Sequence, residues 1–304
     1  MDQVTAFLEA TVRTATPLAV AAIGECVSER AGVINVGLEG AIMAGCFGAV
    51  AGAATGGVVA GLAGGLIAGA VVGIVFAALV VGLRTDQIIT GTAITLGAYG
   101  ATGVLYRVAF GTGGVALTIP TLSSIAVPGL ARLPVAGPAL FTQHAITYAL
   151  MVLVPVAWWW LYRTHAGLAL RAVGEYPPAA VAAGVATDRY RWLGILAGSM
   201  LGGLAGATLV LTVGTFSEQM SAGRGFIAIA IVALGRWTPQ GVGLAALLFG
   251  AAAALQYRLQ ALGVSVPYQL FLALPYVLTL VVLAGGVGRA RAPGWLGRAL
   301  EDTR

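Results

Sequence analysis

Residues 163–191, RTHAGLALRAVGEYPPAAVAAGVATDRYR, place four arginines, two acids and a histidine between two long apolar runs. Pro177 suits the first turn of a helix, Ala179, Ala180, Ala182 and Ala183 are strong helix formers, and Gly184 is a natural stop. The spacing therefore predicts a short helix of about two turns inside a polar island. An interfacial helix resting on lipid headgroups would want bulky apolar residues along one side, whereas this one offers chiefly alanines. A short helix faced with small residues is suited to a cleft in another protein.

Outward from the island the chain is overwhelmingly apolar. It has 59% hydrophobic and 9% charged residues over 304, with 45 glycines and a mean hydropathy of +0.94. That is too little polar surface to cover a soluble globule. The runs are continuous, whereas barrel strands would alternate. A span needs about 20 apolar residues, and such runs are expected near 4–27, 37–55, 57–83, 88–108, 142–162, 192–213, 220–235, 240–256 and 266–288. The expected fold class is all-α: one polytopic membrane domain over 1–304 with about nine transmembrane helices, in a range of 8–10, several of them short or broken. In the first run Glu9 and Arg13 either pair at i,i+4 or mark a helix lying flat at the interface.

The island and the tail 289–304 each carry four arginines, while 110–140 has only Arg132, so both are expected in the cytoplasm. Counting spans then puts Ser28–Arg30, Arg84–Asp86 and Arg236–Pro239 on the same side and the N-terminus outside. The echo between SERAGVI at 28–34 and SAGRGFI at 221–227 falls on opposite sides, as an inverted repeat requires. The formal charge of +5 sits mostly in loops flanking spans, which points to orientation in a bilayer and not to nucleic acid. The N-terminus has no basic leader and is expected to stay in the mature protein. Cys26 and Cys46 form no metal or disulfide framework. All 16 basic residues are arginine, so no Walker lysine is available and ATP would have to be hydrolysed elsewhere.

Two glycine series at four-residue spacing, Gly61/Gly65/Gly69/Gly73 and Gly194/Gly198/Gly202/Gly206, are expected to be helix-packing faces. Candidate pathway residues are polar groups at membrane depth. Asn35 and Glu39 follow a glycine-punctuated helix entry and mark either a cavity or gate, or an entry loop meeting interfacial water and Arg30. Thr92, Thr95 and Tyr99, at i, i+3 and i+7, share one face that suits neutral polar cargo, although threonines also bond their own helix carbonyls. The turn GTFSEQMSAGRGF brings Glu218 and Arg224 together, either guarding the outer entrance or forming a solvated ion pair. Ionisable residues at central depth are few, which disfavours an ion-coupled carrier working alone.

The strings ERAGVINVGLEG at 29–40, GEYPPAAVAAGV at 174–185, MSAGRGFIAIAIVALGRWTPQG at 220–241 and LPYVLTLVVL at 274–283 resemble the permease subunits of bacterial ABC importers for nucleosides and simple sugars. The likeness runs in order over nearly the whole chain, and branched-chain amino acid and ribose-type permeases share the architecture. The resemblance implies a multi-pass protein of the bacterial plasma membrane that pairs with a second, homologous permease as a heterodimer. It also implies an extracytoplasmic substrate-binding protein and a separate ATPase that binds the ATP and Mg, with no cofactor in this chain. It makes Gly174, Glu175, Tyr176, Pro177, Ala179, Ala180 and Gly184 the coupling helix seated on that ATPase. Relatives usually have asparagine before the proline; Tyr176 cannot cap, so Glu175 compensates or the helix starts less firmly. An ATP-independent carrier for small polar solutes is the alternative.

Overall fold

In lipid, only a helix or a closed barrel satisfies every backbone N–H and C=O, and the apolar runs of this chain become helices. The computed structural model describes residues 3–111, 118–261 and 292–298, with Ala273 and Val277. The long helices are α1 (Gln3–Arg30), α2 (Leu38–Ala77), α3 (Gln87–Phe110), α5 (Ala145–Arg163), α8 (Thr187–Val213) and α10 (Pro239–Ala261). The short ones are α4 (Ala136–Phe141), α6 (His165–Glu175), α7 (Pro177–Ala182) and α9 (Arg224–Leu234). Among the described residues six helical stretches are long and apolar enough to cross a membrane.

One of the six is two spans. α2 continues into a π-helical turn at Ala78–Gly82 but breaks at Gly57, whose φ of 74° is outside the helical range. Its limbs fold back so closely that a Cβ on Gly48 would strike the Gly64 carbonyl, and one on Gly52 the Ala60 carbonyl. The runs expected at 37–55 and 57–83 are these limbs. The run at 266–288 falls almost wholly outside the described residues. The 110–140 stretch holds elements that hydropathy does not announce: β1 (Ser124–Ala126) pairs antiparallel with β2 (Thr142–His144), and a 3-10 turn covers Leu130–Arg132.

α8 is the axis of the bundle. Its glycine series faces α1 and the first limb of α2: Gly194 meets Ala31, Gly198 meets Gly24 and Ser28, and Gly206 meets the Ile42 carbonyl. The neighbouring face, Ser199, Gly203 and Ala207, receives the second glycine series through Gly65, Gly69 and Gly73. Both stripes are backbone-to-backbone packing faces, the way helices associate where lipid offers no hydrophobic gradient. α1 does not lie flat; from Ala15 to Glu29 it is buried almost without interruption, and Glu9 pairs with Arg13 at 2.8 Å. Its antiparallel neighbour α10 sets Gly250 against Ala15 and Arg258 on the Gln3 carbonyl at 2.8 Å.

The two ends of the bundle collect the segments that span parity assigns to them. At the island end Arg30 Nε donates to the Trp237 carbonyl at 2.7 Å, Trp295 N–H to the Gly174 carbonyl at 2.9 Å, and Gln87 Nε2 to the Arg298 carbonyl at 2.9 Å. At the other end Ile119 N–H donates to the Gly214 carbonyl at 3.0 Å and Arg107 pairs with Glu218 at 2.7 Å.

Candidate functional site: two helix starts meeting inside the bundle

α9 has 11 residues, about 16 Å of helix, which is half of a hydrocarbon core about 30 Å thick. Its C-terminal turn reaches the island end, where Trp237 Nε1 donates to Glu29 and Trp237 N–H returns to the Val232 carbonyl at 3.1 Å. The start of α9 therefore lies near mid-depth, and the chain from Gly214 to Gly223 dips inward to reach it. A second inward dip comes from the opposite end. After Arg30 the loop turns at Gly32, with φ of 86°, and doubles back beside α1, so that Asn35 N–H reaches Glu25 Oε1 at 2.9 Å. α2 starts from that depth. The echoing segments 28–34 and 221–227 each lead into one of these interior helix starts.

The two starts are joined by Glu39, which is 1% exposed. Its Oε1 accepts from Gly223 N–H at 2.8 Å and from the Tyr99 hydroxyl at 2.6 Å, and its Oε2 accepts from Gly225 N–H at 2.6 Å. The first N–H groups of a helix have no partners inside it and carry the positive end of its dipole, so a carboxylate there is stabilised on both counts. The approach needs glycine: a Cβ on Gly225 would lie 2.5 Å from Glu39 N. The Ser221 hydroxyl bonds Tyr99 Oη at 2.6 Å. Beside this junction Tyr99, Glu218, Gln219 and Ala222 line a cleft of about 530 Å³.

The other pathway candidates distribute around it. Thr95 donates to the Val36 carbonyl at 3.3 Å, tying α3 to the loop that feeds α2. Asn35 is buried one turn below, its Nδ2 on Ser199 Oγ at 2.9 Å. Arg30 does not serve either residue, since its guanidinium is turned to Trp237 and Tyr162. Thr92 is exposed and bonds its own helix at Ile88 O, 2.8 Å away, so it stands apart from Thr95 and Tyr99 despite the shared spacing. The Glu218–Arg224 pair does not form. Glu218 takes Arg107, which a count along the chain could not find, and Arg224 NH1 donates to the Met220 and Ser221 carbonyls at 2.8 and 3.2 Å. Arg224 faces a separate cavity of about 680 Å³ between α1, α8, α9 and α10.

Deep acids are more numerous than hydropathy suggests. Glu25 and Glu29 on α1 are as buried as Glu39, with Oε1 of Glu25 on Asn35 and Oε2 of Glu29 on Trp237. The signal was present in ECVSER, where Glu25, Ser28 and Glu29 share one helix face. Scarcity of deep ionisable groups is accordingly no argument against an ion-coupled carrier.

The island forms two helices. Thr164 caps α6 through Gly167 N–H at 3.1 Å, and Leu170 and Val173 bury its inner face. α7 follows at Pro177 with no side-chain cap from Tyr176; Glu175 is the last residue of α6. Gly184 ends the unit at φ 78°, with Val185 N–H on the Ala180 carbonyl at 2.9 Å. Between α6 and α7 lies an apolar hollow of about 440 Å³ bordered by Leu168, Ala172, Tyr176, Ala179 and Ala183. Gly174 is buried against the loop after α1, where a Cβ would lie 2.9 Å from Gly32 N and collide with the Arg30 carbonyl. The island is thus fixed directly to the loop that leads to Asn35 and Glu39.

Residues 7–283 match the family model described as branched-chain amino acid transport system / permease component. The chain is 34% identical to the guanosine ABC transporter permease protein NupQ of Bacillus subtilis, over 93% of this chain and 92% of the relative. It is 37% identical to the nucleoside ABC transporter permease protein NupC of Lactococcus lactis, over 91% of each. To the putative glucose ABC transporter permease protein TsgC13 of Haloferax volcanii it is 35% identical, over 94% and 92%. No solved structure matches.

Proposed function

The chain belongs to the branched-chain amino acid transport system / permease component family, and on that premise we propose that it carries nucleosides across a bacterial plasma membrane, driven by a separate ATPase. That ATPase would bind the ATP and Mg and seat on α6 and α7. An extracytoplasmic binding protein would deliver the cargo, and a second, homologous permease would complete the pathway. The observation that carries this reading is the contact of Gly174 with Arg30 and Gly32. It gives a force applied at the island a continuous packed route to the junction of the α2 and α9 starts, through seven residues of loop, 31–37, anchored at Asn35.

The junction is suited to switching. Glu39 holds the start of α9 with two backbone donors and one hydroxyl. A small shift of the α2 start would change all three bonds together, and packed elements of this kind move between discrete arrangements. Full-length likeness to the guanosine and nucleoside permeases supports a nucleoside cargo; likeness to the putative glucose permease supports a simple sugar as the second reading.

The test is uptake of radiolabelled guanosine by cells carrying the whole transporter, with unlabelled ribose as competitor and a disabled ATPase as control. Uptake that needs the ATPase and resists ribose is expected. Ribose competition moves the cargo to sugars, and uptake indifferent to the ATPase restores the ATP-independent carrier.

A further inference from the structure

The cavity between α1, α8, α9 and α10 runs from the end of the bundle opposite the island, at Ala6, Val213 and Gln260, inward to Arg224 at the start of α9. Its volume of about 680 Å³ falls within the range of about 300–1,000 Å³ usual for small-molecule sites. Several of its polar groups are unspent. Gln256 is 8% exposed, lines the cavity and has no hydrogen bond among the described residues. Gln260 Nε2 and Arg13 Nε are buried without acceptors, and Arg224 uses only NH1, on the Met220 and Ser221 carbonyls. The hydroxyls of Thr208 and Thr212 donate to their own helix at 2.8 and 2.7 Å, which leaves their oxygens free to accept. Buried polar groups are ordinarily paired, so this set lacks a partner that a ligand would supply. We propose, on the nucleoside reading above, that the cavity holds the cargo by its base, with Gln256 and Gln260 on the edge of the ring and Arg224 on a ring carbonyl.

The lining selects among ligand chemistries. Glu9 neutralises Arg13 at 2.8 Å, which leaves Arg224 as the uncompensated charge among the described lining residues. A phosphate only accepts, and would leave the amide and threonine oxygens without donors. A sugar is polar on every side, whereas Leu18, Ile227 and Phe249 give this cavity apolar walls. A base has flat apolar faces and an edge carrying both donors and acceptors, which suits such walls and amides that both donate and accept. The site also lies against the junction described above. Ala222 borders both this cavity and the cleft beside Tyr99, so the turn that Glu39 holds through Gly223 is the wall between them. A bound base and Glu39 would therefore grip the same helix start from two sides.

Photolabelling of the purified, assembled transporter with azidoguanosine, the azide carried on the base, reads the site directly. Label is expected on peptides of α1, α8, α9 or α10 that line the cavity, protected by excess guanosine and not by ribose. Gln256→Leu, which nearly keeps the volume and removes the amide, should cut that labelling about tenfold, the worth of one or two hydrogen bonds, while the ATPase stays bound. Should Gln256→Leu fail to assemble, Gln260→Leu at the rim decides by the same drop. Label confined to the cleft beside Tyr99, label that ribose displaces, or undiminished labelling of the leucine variant overturns the proposal. Guanosine uptake by cells carrying the wild type separates this failure from that of the cargo. Uptake with no guanosine-protected label in the cavity overturns the base site alone; absence of guanosine uptake overturns the nucleoside reading and the base site with it.

Discussion

The backbone of Gly174 rests on the Arg30 carbonyl with no room for even a methyl group between them. The first residue belongs to the island and the second ends α1, so this contact fixes where the island meets the membrane bundle. Gly174→Ala should force the two backbones apart, an overpacking cost of about 1–3 kcal/mol. The expected phenotype is an inserted, ATPase-bound transporter whose uptake falls at least tenfold while ATP hydrolysis continues. Measuring both rates on one preparation checks it; uptake at the wild-type level would remove the contact from the coupling route.

Ala179 and Ala183 border the hollow between α6 and α7 and are exposed, whereas Ala180, which also lines it, is buried. Ala179→Arg therefore changes the outer surface with little effect on folding. It should abolish co-purification of the ATPase while membrane insertion stays normal, as judged by affinity capture from solubilised membranes. Full retention of the ATPase would place its seat elsewhere.

Glu39 and Tyr99 should separate by magnitude. Tyr99→Phe removes one hydroxyl from a carboxylate that keeps two backbone donors, a loss of about 1–2 kcal/mol. Glu39→Ala leaves the buried N–H of Gly225 without an acceptor, at about 1–3 kcal/mol, and also strips the half-buried N–H of Gly223 of its partner. Thermal unfolding of the purified protein should rank Glu39→Ala well below Tyr99→Phe. Equal midpoints would mean that Glu39 does not hold the start of α9.

Arg107 and Glu218 form an exposed pair, with side chains 56% and 50% accessible. Pairs of this kind contribute about 0–1 kcal/mol. Glu218→Ala should leave the unfolding midpoint unchanged, and any effect on uptake should appear in the half-saturating substrate concentration. A large loss of stability would show that the pair supports the fold.

Seven of the expected runs were legible because lipid enforces continuous apolar stretches, whereas the run at 220–235 holds only the half-length α9 and that at 266–288 falls almost wholly outside the described residues. Even the reversal in α2 was marked, by Thr55-Gly56-Gly57 inside an otherwise unbroken run. The short helix from Pro177 to Gly184 was legible too, since its start and stop signals are local. Glu39 was visible as an acid needing a partner, but the partner was not. Glu39 meets Gly225 and Asn35 meets Ser199 across more than 160 residues, and no spacing rule connects them. The inward dips at 31–37 and 214–223 were hidden for the same reason. A glycine-rich turn reads alike whether it stays at the interface or enters the bundle, and its path is set by acceptors outside the turn, Glu25 on the preceding helix for the first dip and the distant Glu39 for the second. α6 escaped because its arginine and histidine resemble a loop, while its buried face carries just two large apolar side chains, Leu170 and Val173, beside Gly167 and Gly174.

The proposed movement at the junction of α2 and α9 can be followed at Ser221, which is 0% exposed and bonded to Tyr99. The native thiols Cys26 and Cys46 are fully buried and give a quiet background. In the assembled transporter, Ser221→Cys should react with a membrane-impermeant thiol reagent in one nucleotide state and be protected in the other. Adding Gly174→Ala should abolish the difference. Equal labelling in the nucleotide-free and ATP-bound states would contradict a junction that opens and closes with the ATPase.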